Sequence, residues 1–298
     1  MTVQARRYTS TPGFTDDFFR VRDFLRRINE PSVVTPGFLW ARWEWAFCLP
    51  YQDRAALDRI GLWEADGTVV ALATFELETG EAYLVVDPAH RELLPAMVEH
   101  ALEHLRRDGT VRVLVADGDR ELQRLVLARG LRATDGRDPN SVLELRGLAP
   151  PGLPAGYTLA GLDEADDVRR FDRLLHRGFD HPGEPPATPE DLRWRRRSMS
   201  SPGMVPRLNT VVLAPDGSYA SYCGVWHAPG TAYVLVEPVC TDPDTRRRGL
   251  AAAAVTEALR RCASRGATEG YVGAVLPLYR ALGFAPVASA TWWAVPQA

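Results

Sequence analysis

The two halves of the chain repeat one order of secondary-structure signals. Asp66-Gly67 lies between two apolar runs in the first half, and Asp216-Gly217 does the same 150 residues later. Aspartate followed by glycine between such runs is typical of a tight hairpin turn. Each hairpin is followed by a strand, a helix that ends before a glycine (Gly109 or Gly266), another strand and a short helix. The chain is therefore predicted to contain a duplicated domain.

Two further pairs of residues support the duplication and one segment divides it. Gly130 and Gly283 are 153 residues apart, and Arg91 and Arg246 are 155 apart. The stretch GLAPPGLPAG, Gly147–Gly156, has the composition of a linker. We predict an α+β chain of two tandem domains, each a mixed, mostly antiparallel twisted sheet flanked by helices. The predicted bounds are residues 1–147, a linker over 148–156, and residues 157–298.

Composition restricts the class of protein and its location. The chain is 46% hydrophobic and 24% charged, which is typical of a globular protein, and its net charge of −3 gives no general attraction to nucleic acid or membrane. The longest apolar run, Leu250 to Val255, is too short to span a membrane, and the N-terminal residues do not resemble a secretory signal. Four scattered cysteines favour reduced thiols. We therefore expect a cytoplasmic protein.

An arginine run before the second long helix indicates an anion site. The order is strand, then Arg246-Arg247-Arg248-Gly249-Leu250-Ala251, then helix. A helix N-terminus has unpaired N–H groups and a partial positive charge, and Gly249 would let a ligand approach the backbone. Solvated helix starts are also often rich in arginine, so this motif alone leaves both interpretations open.

Two neighbouring segments make the pattern more specific. RRRGLA resembles the acyl-CoA pyrophosphate loop, R/Q-x-x-G-x-G/A, of the GNAT N-acetyltransferase superfamily. LPLYRALGF, Leu276 to Phe284, resembles the L-Y-x-x-x-G-F segment of that family, and EPVCTDP, Glu237 to Pro243, resembles the end of its fourth strand. The order of the three motifs is also that of the family, and the duplication extends the resemblance over nearly the whole chain.

The resemblance implies a cofactor, a reaction and a set of site residues. Acetyl-CoA would be the co-substrate, no metal would be needed, and the acetyl group would pass to a primary amine. Tyr279 matches the tyrosine that protonates the CoA thiolate, although it is also placed as a core residue would be. Glu237 would receive the ammonium proton directly or through ordered water, or would orient the substrate. The implied cofactor-binding residues are Val239, Cys240, Thr241, Arg246, Arg247, Arg248, Gly249, Leu250 and Ala251.

The chain also departs from the family pattern. Val272 stands where many members have an asparagine that contacts the CoA arm. In the first copy, Leu94 aligns with Gly249 and Val126 aligns with Tyr279. The first copy is therefore predicted to be degenerate, and the second to be catalytic. This arrangement is similar to that of the mycothiol synthase family.

Three other segments carry weaker signals. His100 to His104, HALEH, fits a short metallopeptidase pattern but has no evident third ligand, which favours an ordinary helix face. Arg193 to Arg197 follow a helix start at Thr188-Pro189 and favour a solvated face over a nucleic-acid site. Asp180, His181 and Glu184 lie in a proline-rich loop where the family places variable acceptor contacts.

The predicted function is acetyl transfer from acetyl-CoA to a primary amine of a small molecule or protein, a small molecule being favoured. The alternative is a non-catalytic acyl-CoA sensor or partner-binding module. Glu237 and Tyr279 favour the enzyme. Neither nucleic acid nor membrane is expected as a partner, and the sequence leaves the acceptor and the oligomeric state open.

Overall fold

A computed structural model describes residues 2–29, 37–186 and 188–296. The chain divides into two compact units. Unit 1 comprises Met1–Asn140 together with Val287–Ala298, and unit 2 comprises Ser141–Pro286. Within the described residues, no helix is long and apolar enough to cross a membrane.

Unit 1 is built on a mixed sheet with helices. Strands β1 to β4 pair antiparallel in chain order, β4 pairs parallel with β5, and the C-terminal strand β12 pairs antiparallel with β5. Its elements are β1 (Val3–Arg7), α1 (Asp16–Asn29), α2 (Trp40–Cys48), β2 (Gly61–Ala65), β3 (Thr68–Thr74), β4 (Glu81–Val86), α3 (Leu94–His104), β5 (Arg112–Ala116) and α4 (Arg120–Ala128). The strand β6 (Arg132–Glu144) begins in this unit.

Unit 2 repeats the plan. Strands β7 to β10 pair antiparallel in chain order, and β10 pairs parallel with β11. The last four residues of β6 pair antiparallel with β11. Its elements are β7 (Thr158–Gly161), α5 (Val168–Gly178), α6 (Pro189–Met199), β8 (Thr210–Leu213), β9 (Tyr219–Trp226), β10 (Tyr233–Thr241), α7 (Leu250–Ala263), β11 (Glu269–Val272), α8 (Pro277–Ala281) and the start of β12 (Ala285–Ala294).

The predicted α+β class and both hairpins are confirmed. Asp66 and Gly67 connect β2 to β3 with φ angles of 47° and 77°, the left-handed pair that a tight hairpin requires. Gly217, with φ of 79°, lies in the turn between β8 and β9. The helix start at Thr188 is also confirmed, since Thr188 and Asp191 form a capping box.

The last strand of each half ends in the other compact unit. Residues 141–144 of β6 pair with β11 in unit 2, whereas residues 290–294 of β12 pair with β5 in unit 1. The units therefore differ from the predicted spans of 1–147 and 157–298 at their ends. Apolar alternation identifies a strand but carries no information about its partner, because the pairing is made far along the chain.

Helices cover both faces of the sheet in unit 2. Val255 and Ala258 of α7 lie in one apolar cluster with Cys223 of β9. Phe171 of α5 lies in another, with Tyr222 of β9. Because successive strand residues point to opposite faces, α7 and α5 pack on opposite sides of β9. Arg246, just before α7, donates to the carbonyls of Thr241 at the end of β10 and Gly178 at the end of α5, so both ends lie beside the start of α7.

Candidate active site

A β-bulge interrupts β10 at its centre. The register with β9 shifts between Val236 and Val239, so Glu237 and Pro238 lie opposite the single residue Gly224. A Cβ at Gly224 would overlap the Glu237 carbonyl oxygen and lie 2.7 Å from Pro238 Cδ. Trp226, which lies on β9 with Gly224, donates from Nε1 to the Glu237 carbonyl at 3.1 Å. The bulge is therefore set by a missing side chain and an indole hydrogen bond.

After the bulge, β10 diverges from β11. The parallel pairs join Tyr233–Leu235 to Glu269–Tyr271, whereas Val239–Thr241 pair only with β9 among the described strands. The other backbone edge of Val239–Thr241 thus has no strand partner in the described chain. Exposed strand edges present N–H and C=O groups that bind extended ligands.

Cys240 contributes backbone rather than a reactive thiol. Its side chain is buried beneath α5, and burial raises the pKa of the thiol to about 12. Ser221 Oγ donates to the Cys240 carbonyl at 2.8 Å. A Cβ at Gly178, the last residue of α5, would lie 2.8 Å from Cys240 Cβ, so this glycine allows the close approach of helix and strand.

The loop before α7 contains two left-handed residues. Arg247 has φ of 65°, and Gly249, the N-cap of α7, has φ of 79°. Such turns direct successive backbone N–H groups toward one concave side, where they bind anions. Among the described residues no side chain caps the helix start, and a Cβ at Gly249 would have no atom of them within 4 Å. The first-turn N–H groups therefore remain available at an open surface.

The predicted cofactor-binding residues of this loop are close together, but their side chains differ in exposure and in hydrogen-bond partners. Arg246 donates to the carbonyls of Thr241 (3.2 Å) and Gly178 (3.0 Å) and to Asp180 Oδ1 (2.9 Å). Arg248 Nη1 donates to the Tyr157 hydroxyl at 3.2 Å. Arg247 is exposed, Leu250 is buried in the core and Ala251 is half-buried. Leu250 and Ala251 can thus serve an anion only through their backbone N–H groups.

The end of α8 explains the spacing of the L-Y-x-x-x-G-F motif. Gly283, with φ of 94°, donates to the Arg280 carbonyl at 3.0 Å, and Phe284 donates to the Tyr279 carbonyl at 2.9 Å. These two bonds define a Schellman motif, which is often accompanied by an apolar contact between the third-last helical residue and the second residue beyond the cap. The rings of Tyr279 and Phe284 make that contact, with centroids 5.5 Å apart.

Tyr279 is also electrostatically linked to the bulge. Burial raises the pKa of its phenol, and Cys223 and the Glu237 carboxylate raise it further. The two predicted catalytic residues therefore interact in the folded chain. The phenol is protonated at neutral pH, as a proton donor must be, although the raised pKa makes Tyr279 a weaker acid than a free tyrosine.

Unit 1 retains the scaffold of this site. Gly130, with φ of 86°, and Leu131 donate to the carbonyls of Leu127 and Val126 at 3.0 and 3.1 Å. This is the same Schellman motif at the end of α4, with Val126 in the position of Tyr279. The fold of the motif is kept and the phenol is absent.

Unit 1 can also be compared with unit 2 at the strand pair that carries the bulge and at the loop before the long helix. The pairing of β3 with β4 runs from Ala71–Val86 to Thr74–Tyr83 without a register shift, so no bulge interrupts these paired residues. Leu94, the counterpart of Gly249, is buried and right-handed, with φ of −50° and ψ of −43°. Pro95 follows it and lacks a backbone N–H.

An arginine–aspartate pair beside the end of β10 was not predicted from the sequence, and unit 1 has an equivalent pair. Arg177 of α5 binds Asp242 through Nε at 2.7 Å and Nη2 at 3.1 Å. In unit 1, Arg27 and Asp87 stand 150 and 155 residues earlier in the chain, and Arg27 binds Asp87 at 2.7 Å. The matching offsets could have suggested the pair. Gly224 also gave a signal, since glycine within a strand often marks a bulge or a close backbone approach.

The acceptor-side candidates surround an open depression. It has a volume of about 440 Å³ and is lined by Arg177, Asp180, His181, Gly183, Glu184 and Pro243. Asp180 pairs with Arg246, and Glu184 pairs with Arg173 at 3.1 Å. Phe179, beside these residues, is 48% exposed. Pro243 belongs to the loop that follows β10, so this loop forms part of the wall of the depression.

The remaining signals occupy ordinary helix positions. His100 lies on α3 within hydrogen-bonding distance of the Arg59 carbonyl, at 2.8 Å. Arg195 of α6 binds Asp172 at 2.7 Å, and Arg197 lies over the Trp194 ring. Across the ranges that the structure describes, no three His, Cys, Asp or Glu side chains form a metal-binding group.

Comparison with known proteins finds one family and several solved structures that this chain resembles. Residues 169–284 match the model of the Acetyltransferase (GNAT) family. No curated protein matches the chain in sequence. A tandem GNAT protein from the clavulanic acid biosynthesis pathway, solved without AcCoA, is similar over 100% of both chains, with a TM-score of 0.64 and 17% identity.

Two other solved structures share the fold. A GCN5-related N-acetyltransferase from Sphaerobacter thermophilus has a TM-score of 0.56 and 21% identity over 98% of this chain and 95% of its own. Saccharomyces cerevisiae N-myristoyltransferase with bound myristoyl-CoA has a TM-score of 0.55 and 12% identity over 98% and 78%. Residues 169–284 are therefore similar to the GNAT family, and over its whole length the chain shares the fold of a tandem GNAT protein.

Proposed function

We propose that the protein transfers an acetyl group from acetyl-CoA to a primary amine at a single site in unit 2. One observation carries the proposal. The strand bulge, the left-handed glycine before the helix and the phenol occur together in unit 2, whereas unit 1 has Leu94 and Val126 in place of the glycine and the tyrosine and no register shift in the paired part of β3 and β4. A scaffold kept in two copies with its chemical groups in only one is expected of one active and one degenerate domain.

The donor would lie along the end of β10 and the start of α7. The backbone edge of Val239, Cys240 and Thr241 that has no described strand partner suits the amide-bearing pantetheine arm and could donate an N–H to the thioester oxygen. The N–H groups of the loop ending at Gly249, and those of Leu250 and Ala251, suit the diphosphate. Val272 offers no side-chain hydrogen bond to the arm, so this binding relies on backbone groups.

The transfer requires proton movements at the amine nitrogen and at the leaving sulfur. The amine must lose a proton before its nitrogen attacks the thioester carbonyl, and we propose that Glu237 receives that proton directly or through water. The attack forms the new C–N bond and a tetrahedral intermediate, whose nitrogen gives its surplus proton to solvent. Collapse of the intermediate then breaks the C–S bond, and the thiolate takes a proton from Tyr279. The neighbouring Glu237 carboxylate disfavours the tyrosinate, which then recovers its proton from solvent or from Glu237.

The acceptor is proposed to be a small molecule. Asp180, His181 and Glu184 line the depression beside Pro243, and the two carboxylates suit a cationic amine. Both carboxylates are paired with arginines, so an acceptor would have to replace or extend those pairs. This loop is therefore expected to set acceptor selectivity rather than the rate of the chemical step.

The decisive test is release of CoA thiol from acetyl-CoA across a panel of amines. The panel should include aminoglycosides, polyamines, amino acids and cysteinyl sugars, with Tyr279→Phe as the matched inactive control. We expect at least one amine to give thiol release that depends on Tyr279. Protein that binds acetyl-CoA but remains inactive with every amine would instead support a non-catalytic acyl-CoA sensor.

A further inference from the structure

The three consecutive arginines before Gly249 are not equivalent. The Arg246 guanidinium donates to two backbone carbonyls, of Thr241 and Gly178, and its charge is paired with Asp180. It joins the end of α5 to the end of β10. An arginine whose donors are used in this way contributes to the fold of the loop and adds little charge for a ligand.

Arg247 and Arg248 are available to a ligand. Both are exposed, and Arg248 makes a single described hydrogen bond, to the Tyr157 hydroxyl. That hydroxyl accepts from Arg248 and so retains its own proton for donation. Within the described residues Arg247 makes no ion pair or side-chain hydrogen bond, although its left-handed backbone costs about 1 kcal/mol.

Unit 1 changes these same positions. Glu92 and Leu93 stand where unit 2 has Arg247 and Arg248, whereas Arg91 is retained at the position of Arg246 and pairs with Asp119 and Glu121. The structural arginine is therefore present in both units. The two available cations are present only where the loop has its left-handed glycine.

We infer that Arg247 and Arg248, with the Tyr157 hydroxyl, bind the ribose 3′-phosphate of CoA and select donors that carry it. The inference rests on the proposed function. The backbone N–H groups of the loop already suit the diphosphate, and CoA bears one further phosphate on the adjacent ribose. A dianionic phosphate suits two guanidinium groups, which form strong charge-assisted hydrogen bonds with it.

The test is calorimetric titration with acetyl-CoA and with acetyl-3′-dephospho-CoA, which requires no acceptor. Wild-type protein should bind acetyl-CoA at least tenfold more tightly, which corresponds to about 1.4 kcal/mol. In Arg247→Ala/Arg248→Ala the preference should fall below about threefold. Arg246→Ala should lower the thermal midpoint and keep the preference. Arg265→Ala, an exposed arginine after the other end of α7, is the matched charge control and should change neither.

Three results would overturn the inference. The first is equal affinity of the wild-type protein for both nucleotides, which leaves the proposed function intact. The second is a double variant, folded by circular dichroism, that retains the full preference. The third is binding of neither nucleotide, which contradicts the acyl-CoA assignment as well.

Discussion

Tyr279 combines a structural and a chemical role in one side chain. Its ring closes the Schellman motif of α8 against Phe284, and its phenol interacts with Glu237. Val126 performs only the first role in unit 1, where it is fully buried. The ring and the hydroxyl can therefore be separated by experiment.

Replacing Tyr279 with Phe should preserve the fold and reduce turnover. The ring contact survives, whereas loss of a general acid should lower the rate by about two to four orders of magnitude. Steady-state kinetics with an accepted amine measures this change. Tyr219→Phe removes a phenol at the start of β9 and should leave turnover nearly unchanged. A loss below about threefold for Tyr279→Phe, with chemistry rate-limiting, would make Tyr279 a packing residue only.

The raised pKa of Tyr279 predicts an alkaline effect on stability. The unfolded chain ionises this phenol at pH about 10, whereas the folded chain keeps it protonated. Its contribution is complete below pH 10 and is lost above it, at about 1.4 kcal/mol per pH unit. Urea unfolding between pH 9 and 11 should therefore show a shallower alkaline decline for Tyr279→Phe than for wild type. Equal declines would mean that the phenol titrates normally.

At the scale of elements, the bulge in β10 depends on Gly224. A Cβ there would overlap the Glu237 carbonyl and approach Pro238 Cδ to 2.7 Å. Gly224→Ala should displace the bulge, destabilise the chain by about 1–3 kcal/mol and weaken acetyl-CoA binding. Gly152→Ala is the control, because no described atom lies within 4 Å of that Cβ. Unchanged stability and affinity for Gly224→Ala would show that the bulge tolerates a side chain.

The elements differ in how far the sequence predicts them. Asp-Gly turns and the helix cap at Thr188 follow from local chemistry, so both were predictable. The RRRGLA and Y-x-x-x-G-F segments were located by resemblance. The structural role of Arg246, which differs from that of Arg247 and Arg248, was not predictable. Its partners Gly178 and Asp180 are more than 60 residues away in the sequence. The bulge likewise depends on a register that Gly224 only hints at.

At the scale of the molecule, the strand partners of β6 and β12 predict which fragments of the chain will fold. A fragment of residues 151–298 lacks Ser141–Glu144, which pair with β11, and retains a C-terminal strand whose partner β5 is missing. A fragment of residues 141–286 matches unit 2. We expect the second fragment to be more soluble and to unfold at higher urea concentration, since unpaired strand edges promote association. Size-exclusion chromatography compares their association, and urea titration compares their stability. A fragment 151–298 that is more soluble and more stable than 141–286 would contradict the unit bounds.

The central claim is that one chain has one acyl-CoA site, at the start of α7. Calorimetric titration with acetyl-CoA should give one site per chain. Gly249→Leu should weaken it at least tenfold, whereas Arg91→Ala in unit 1 and Gly266→Leu, a left-handed glycine after the other end of α7, should not. Two equivalent sites per chain, or unchanged affinity in folded Gly249→Leu, would contradict the account.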